Sequence, residues 1–130
     1  MSRVTHFEIQ ASQPQVLIDF YNAVLGWTFT KWEFADYWLI TTGPADQPGI
    51  DGGLLPRITP PPPADAQIVN AYVCTAEVTS LDETLAAALS RGASIALPKM
   101  PVPGVGWVAY IKDPDGNVLG MLQRDPNVTM

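Results

Sequence analysis

The chain reads as an α+β protein built from two βαβββ modules, and three observations predict this. Strand-like and helix-like stretches follow one another in the same order in both halves. A glycine closes the helix of each half, Gly26 and Gly92, sixty-six positions apart. A run of four prolines, Pro60 to Pro63, separates the halves. An internal repeat of this kind marks one structural unit used twice. Module one is placed at about 4–57, a proline connector at about 59–66 and module two at about 69–124, all within one domain of 130 residues.

The first strand is Thr5-His6-Phe7-Glu8-Ile9, which alternates as a half-buried strand should, with Phe7 and Ile9 on one face and His6 and Glu8 on the other. Ser12-Gln13-Pro14 then offers an N-cap residue and a proline for the first helical turn, where a missing N–H costs nothing. Val16, Leu17, Phe20, Tyr21, Val24 and Leu25 recur at helical spacing, and Gly26 suits the C′ position. Trp27 to Lys31, Tyr37 to Thr42 and Ile50 to Leu55 are three further strands, broken by Gly43-Pro44 and Gln47-Pro48-Gly49. Four consecutive prolines fit neither sheet nor helix and predict an extended polyproline II connector.

The second half repeats the pattern. Asn70 to Glu77 is a strand, and Ser80-Leu81-Asp82-Glu83 is a capping box opening a helix with Leu81, Leu85, Ala88 and Leu89 on one side. Asp82 and Glu83 suit that helix start electrostatically, so a structural role accounts for them. Arg91-Gly92 ends the helix. Ser94 to Leu97, Gly106 to Lys112 and Asn117 to Gln123 are strands, the last two joined by the turn Asp113-Pro114-Asp115-Gly116.

Bulk properties narrow the function. With 47% hydrophobic residues, a chain of this length buries enough surface for one core without a structural metal or disulfide. The single cysteine, Cys74, has no internal partner, which suits a reducing compartment, and alternation predicts a small core thiol. The net charge of −6, with only seven scattered Lys and Arg, argues against nucleic acid. No apolar run approaches the ~18 residues of a membrane span, and the start carries no basic-then-apolar leader pattern. The expectation is a cytoplasmic protein. No nucleophile elbow, P-loop or dinucleotide fingerprint occurs, and Gly104-Val105-Gly106 is too short for one.

Longer wording carries a resemblance. His6-Phe7-Glu8-Ile9, Phe20-Tyr21-Asn22-Ala23-Val24-Leu25-Gly26-Trp27, Asp51-Gly52-Gly53-Leu54, Pro103-Gly104-Val105-Gly106-Trp107 and Asp113-Pro114-Asp115-Gly116-Asn117 follow in an order that resembles the vicinal oxygen chelate (glyoxalase/bleomycin-resistance/dioxygenase) superfamily. The resemblance covers nearly the whole chain. It implies that each module's strands curl into a half-barrel and that the two halves form a curved mixed-sheet cleft. Such a fold usually forms a symmetric homodimer, since half-barrels leave strand edges and apolar surface uncovered. Metal-dependent members hold a divalent ion with His and Glu side chains, leaving positions open for neighbouring substrate oxygens.

Here the resemblance is incomplete. His6 matches the first ligand position, but the strand of module two offers Ala71, Val73 and Thr75, and the final strand offers Gly120 where the superfamily has a carboxylate. Module one's fourth strand offers Gly52, Gly53 and Leu54, with Asp51 only at its entrance. His6 is the sole histidine. No metal and no other cofactor is therefore expected, with a divalent ion as the lesser alternative.

What remains is an apolar, aromatic-lined binding site. Trp32, Phe34, Tyr37, Trp38, Trp107 and Tyr110 lie on or beside strands that border such a cleft. The ligand-binding set is expected to be His6, Glu8, Trp38, Val73, Thr75, Trp107 and Gly120, with His6 and Glu8 as the polar groups that fix orientation. The function expected is metal-independent binding of a small molecule, planar or cationic. The alternatives are a metal-dependent lyase, isomerase or dioxygenase, and a metal-free enzyme with His6 as general base and Glu8 in support.

Overall fold

The structure, a computed structural model, describes residues 1–64 and 72–129. Among these are eight strands and two helices in the order β1 (Val4–Ala11), α1 (Pro14–Leu25), β2 (Thr28–Lys31), β3 (Trp38–Thr41), β4 (Gly52–Pro56), β5 (Val73–Glu77), α2 (Leu81–Ser90), β6 (Ser94–Val102), β7 (Gly106–Lys112) and β8 (Val118–Arg124). The βαβββ order therefore occurs twice. The chain divides into two compact units, His6–Tyr72 and Met1–Thr5 with Val73–Met130.

In the His6–Tyr72 unit the strands lie in the order β2-β3-β4-β1. β4 runs parallel to β1, with Glu8 opposite Gly53 and Ile9 opposite Leu54. β3 pairs antiparallel with both β4 and β2. Alternation divides this sheet into two faces. Phe7, Ile9, Ile40 and Leu54 point toward α1 and form a core to which Leu17, Ile18, Tyr21, Trp27, Phe29 and Trp38 add partial cover. His6, Glu8, Gly53 and Leu39 lie on the opposite face.

The start of α1 differs from expectation. Gln13, not Ser12, is the N-cap, and its side chain makes no capping bond. Pro14 supplies the pre-set φ of a helix start, so no side-chain cap is required to begin it. Its end is as expected: Gly26 adopts φ 73°, and its N–H donates to the Asn22 carbonyl at 3.0 Å.

In the other unit the order is β5-β8-β7-β6, with β8 parallel to β5 and the remaining pairs antiparallel. Ala109, Ile111 and Met121 face α2 and pack with Val78 and Leu81. The Ser80 hydroxyl accepts the Glu83 N–H at 3.2 Å, which is the N-cap half of the expected capping box. β6 runs to Val102 instead of stopping at Leu97, with breaks in register after Ile95 and Leu97. As the outer strand of this set it tolerates Pro98 and Pro101, which an inner strand would not. The Asp113 turn closes through its carboxylate, which accepts the N–H groups of Asp115 and Asn117 at 2.9 and 3.0 Å.

One further expectation changes. Cys74 is exposed rather than a core thiol. Its alternation does aim it at the α2 face, but it lies at the margin of the core centred on Ala109, Ile111 and Met121. The Pro60–Pro61 peptide is cis. Residues 65–71, which include Asn70 and Ala71 of the expected strand, lie outside the described set.

Candidate functional site

The side chains that carry chemistry come together on the face of β1 turned away from α1. His6 and Glu8, two apart on one strand, point to the same side, and Tyr37 links them. The Tyr37 hydroxyl donates to Glu8 Oε2 at 2.9 Å and bonds His6 Nε2 at 2.8 Å. The imidazole and carboxylate themselves are 3.9 Å apart. They are therefore coupled through the phenol rather than by a direct hydrogen bond.

Local sequence explains how Tyr37 reaches them. The segment between β2 and β3 turns back on itself through the Trp32 N–H, which donates to the Tyr37 carbonyl at 2.8 Å. Tyr37 then enters β3 on the face of Leu39 and lies across β4 at Gly53. A Cβ on Gly53 would overlap the Tyr37 hydroxyl and ring. Glycine inside a strand commonly marks such a close approach. Trp32 packs edge-on against both Phe34, at 5.1 Å between ring centroids, and Tyr37, at 6.3 Å. Phe34 is exposed. An aromatic row thus runs from the surface to the half-buried Tyr37 hydroxyl.

Burial sets the charge state. The Glu8 side chain is only 12% exposed. Desolvation raises its carboxyl above the ordinary 4.5, and the Tyr37 hydrogen bond opposes that rise. Its second oxygen, Oε1, is buried and makes no hydrogen bond among the described residues. The Tyr37 phenol is raised as well, by its own burial and then by the neighbouring Glu8 charge, so it stays protonated and donates.

A related arrangement stands in the second unit. Thr75 is opposite Gly120, and Gly120 is opposite Tyr110, all on the face turned from α2. A Cβ on Gly120 would come within 2.5 Å of Thr75 Oγ1 and 3.3 Å of the Tyr110 ring. In both modules a tyrosine ring lies over a glycine of the strand parallel to the module's first strand, beside a polar residue of that strand.

The seven expected binding residues therefore divide. His6 and Glu8 lie together in one unit, and Val73, Thr75 and Gly120 share a face in the other. Trp38 lies on the α1 face with Leu54, and Lys31 Nζ sits 5.5 Å from its ring. Trp107 lies on the α2 face, 4.9 Å from Lys99 Nζ, which pairs with Asp82 of α2 at 3.0 Å. Neither tryptophan shares a face with the polar groups. Tyr37 and Tyr110 hold those places, and Gly53 belongs to the site as the residue whose missing side chain makes room.

A family model described as the Glyoxalase/Bleomycin resistance protein/Dioxygenase superfamily matches residues 3–121. The chain belongs to this superfamily. Its curated relatives include CFP32 of Mycobacterium bovis and of Mycobacterium tuberculosis, whose name assigns it to the glyoxylases without establishing that activity. Each is 27% identical over 122 residues, which is 92% of this chain and 43% of the relative. The chain thus spans less than half the length of these relatives. Among solved structures it is similar to methylmalonyl-CoA epimerase from Mycobacterium tuberculosis, with a TM-score of 0.64 and 15% identity over 95% of this chain and 88% of that one. It is equally similar in fold to protein BH1468 of Bacillus halodurans, with a TM-score of 0.64 and 11% identity over 99% of both chains. These likenesses show the α+β glyoxalase-like fold.

Superfamily membership implies a divalent ion in the metal-dependent branches, and the donors present here do not fit one. Among the described residues no group of three or more His, Cys, Asp or Glu stands close enough to hold a metal. His6 Nε2 and Glu8 Oε2 are both engaged by Tyr37. The strands on which the resemblance places the other ligands offer Gly52, Gly53 and Leu54, Ala71, Val73 and Thr75, and Gly120, none of which carries an imidazole or carboxylate. Among the described residues no helix is long and apolar enough to cross a membrane.

Proposed function

We propose that this protein binds a small, flat molecule without a metal, on the Glu8–Tyr37–His6 face of β1. The observation that carries this reading is Glu8 Oε1, a buried carboxyl oxygen without a hydrogen-bond partner among the described residues, next to the Trp32–Tyr37 row. Such an atom costs about 1–3 kcal/mol when left unsatisfied, so a ligand that donates to it recovers that energy on binding. Aromatic faces supply the flat contact and favour a cationic or N–H-bearing ring. The acidic balance of the chain, −6 overall, favours the same class. Superfamily scaffolds carry many chemistries, so the site itself is the basis for this reading.

A thermal-shift panel of planar aromatic cations and neutral nitrogen heterocycles tests it. At least one class should raise the melting temperature in wild-type protein and lose that effect in Glu8→Gln, because the amide presents no charge. A panel without a shift at saturating ligand contradicts the reading.

The hydrogen-bonded chain favours a second reading, a metal-free enzyme that moves a proton. With Tyr37 donating to Glu8, His6 Nε2–H donates to the phenol oxygen, so an imidazolium at His6 can hand its Nε2 proton to the phenol while the phenol hands its own to the Glu8 carboxylate, leaving neutral imidazole and carboxylic acid. Under this reading Tyr37→Phe abolishes turnover of a ligand found in the panel while leaving its binding measurable. Unchanged turnover removes it.

A further inference from the structure

We propose that Tyr37 and Gly53 together make this site metal-free: the phenol consumes the two donors that a divalent ion would need and bars a third. This rests on the metal-independent part of the reading above and not on the identity of the ligand. His6 Nε2 and Glu8 Oε2 lie 3.9 Å apart. Two metal bonds of ~2.1 Å span ~3.4 Å at a tetrahedral angle, so a shift of ~0.5 Å would bring the pair onto one ion. The phenol oxygen stands between them, 2.8 Å from one and 2.9 Å from the other. Each atom is already paired to a neutral group that carries no desolvation cost comparable to an ion's.

Gly53 completes the exclusion. It is opposite Glu8 in the β1–β4 register and on the same face. A His, Asp or Glu there would aim a third donor at the pair. The ring of Tyr37 fills that space, so any Cβ at this position collides with it. A tyrosine at 37 and a metal ligand at 53 are mutually exclusive on this backbone. Replacing both residues should convert the site.

The experiment titrates the full chain with Zn²⁺ by calorimetry and with Co²⁺ by visible absorption. It also follows the His6 imidazole ¹⁵N resonances, which are unambiguous because His6 is the sole histidine. Wild type should show no saturable one-to-one binding and an unmoved His6 Nε2 signal at stoichiometric Zn²⁺. Gly53→Glu alone should bind less tightly than the double variant, since the Tyr37 ring it displaces stays tethered beside the pair and competes for the same space. Tyr37→Ala/Gly53→Glu should bind one ion at least ~10-fold more tightly than wild type, with a tetrahedral Co²⁺ band, because three converging donors replace two engaged ones. A His6 Nε2 shift on adding Zn²⁺ to wild type overturns the proposal and needs no variant to fold. A folded double variant that binds no tighter than wild type also overturns it. An empty result in the small-molecule panel removes the ligand reading and leaves this one standing, so the two fail separately.

Discussion

Tyr37 and Trp38 are neighbours in the chain and point to opposite faces of the same sheet, and that single step of parity decides which ring meets Glu8. In a strand one residue of displacement transfers a side chain from one face to the other. The alternation of His6, Phe7, Glu8 and Ile9 was legible because four residues in one strand repeat the signal. The parity of Tyr37 was not, since it follows from the bond between the Trp32 N–H and the Tyr37 carbonyl, which no periodicity announces. The same reasoning applies to Trp107 and Tyr110, three apart on β7 and therefore on opposite faces. At this scale the clearest expectation concerns Glu8. Its folded carboxyl is raised by burial, so the native state holds the proton more tightly than the unfolded chain does. Its contribution to stability is present below about pH 4.5 and is lost as pH rises through the raised folded value. Glu8→Gln should therefore stabilise the protein at pH 8, with the gain shrinking as pH falls toward 4.5. Urea unfolding across that range checks it, and a gain that grows toward acid contradicts it.

Among the elements, β4 is the one whose composition is explained by what lies over it. Gly52 leaves room for the backbone and ring of Phe7 on the α1 face, and Gly53 leaves room for Tyr37 on the other. Two successive glycines weaken a strand through backbone entropy, and here each is required by a close approach on its own side. Gly53→Ala should displace Tyr37 and take its hydroxyl away from Glu8 Oε2, at a cost of about 1–3 kcal/mol for that carboxylate oxygen. Chemical denaturation measures the loss, and a fall in the Glu8-dependent ligand shift accompanies it. An unchanged stability would mean that Tyr37 does not cross β4. Helix ends show the complementary lesson. Gly26 and the Ser80–Glu83 cap were readable because capping is local chemistry between residues three or four apart. The exchange of Ser12 for Gln13 at the start of α1 was not, because proline at the first helical position makes the cap dispensable.

For the molecule as a whole, the repeat carries most of what the chain reveals about itself. The βαβββ order occurs in both units, each with its own core, and Glu8 opposite Gly53 corresponds to Thr75 opposite Gly120. The superfamily and its fold were legible from that order and from motifs that are, individually, only good turns and caps. The site was half legible. His6, Glu8 and Gly120 were read from strand alternation and from position in the repeat, whereas the joining of His6 to Glu8 depends on a loop that tertiary contacts place. The residues on the β1 face build a phenol-bridged pair, with Glu8 Oε1 buried and without a hydrogen bond among the described residues.

The state of that carboxyl is the point on which this account turns. Carbon-detected NMR titration of the Glu8 side chain, in wild type and in Tyr37→Phe, reports it directly. The midpoint should lie above 4.5 in wild type and higher still in Tyr37→Phe, because the variant keeps the burial and loses the hydrogen bond that lowers it. A Glu8 carboxyl titrating at or below 4.5, or one indifferent to loss of the phenol, would contradict this expectation.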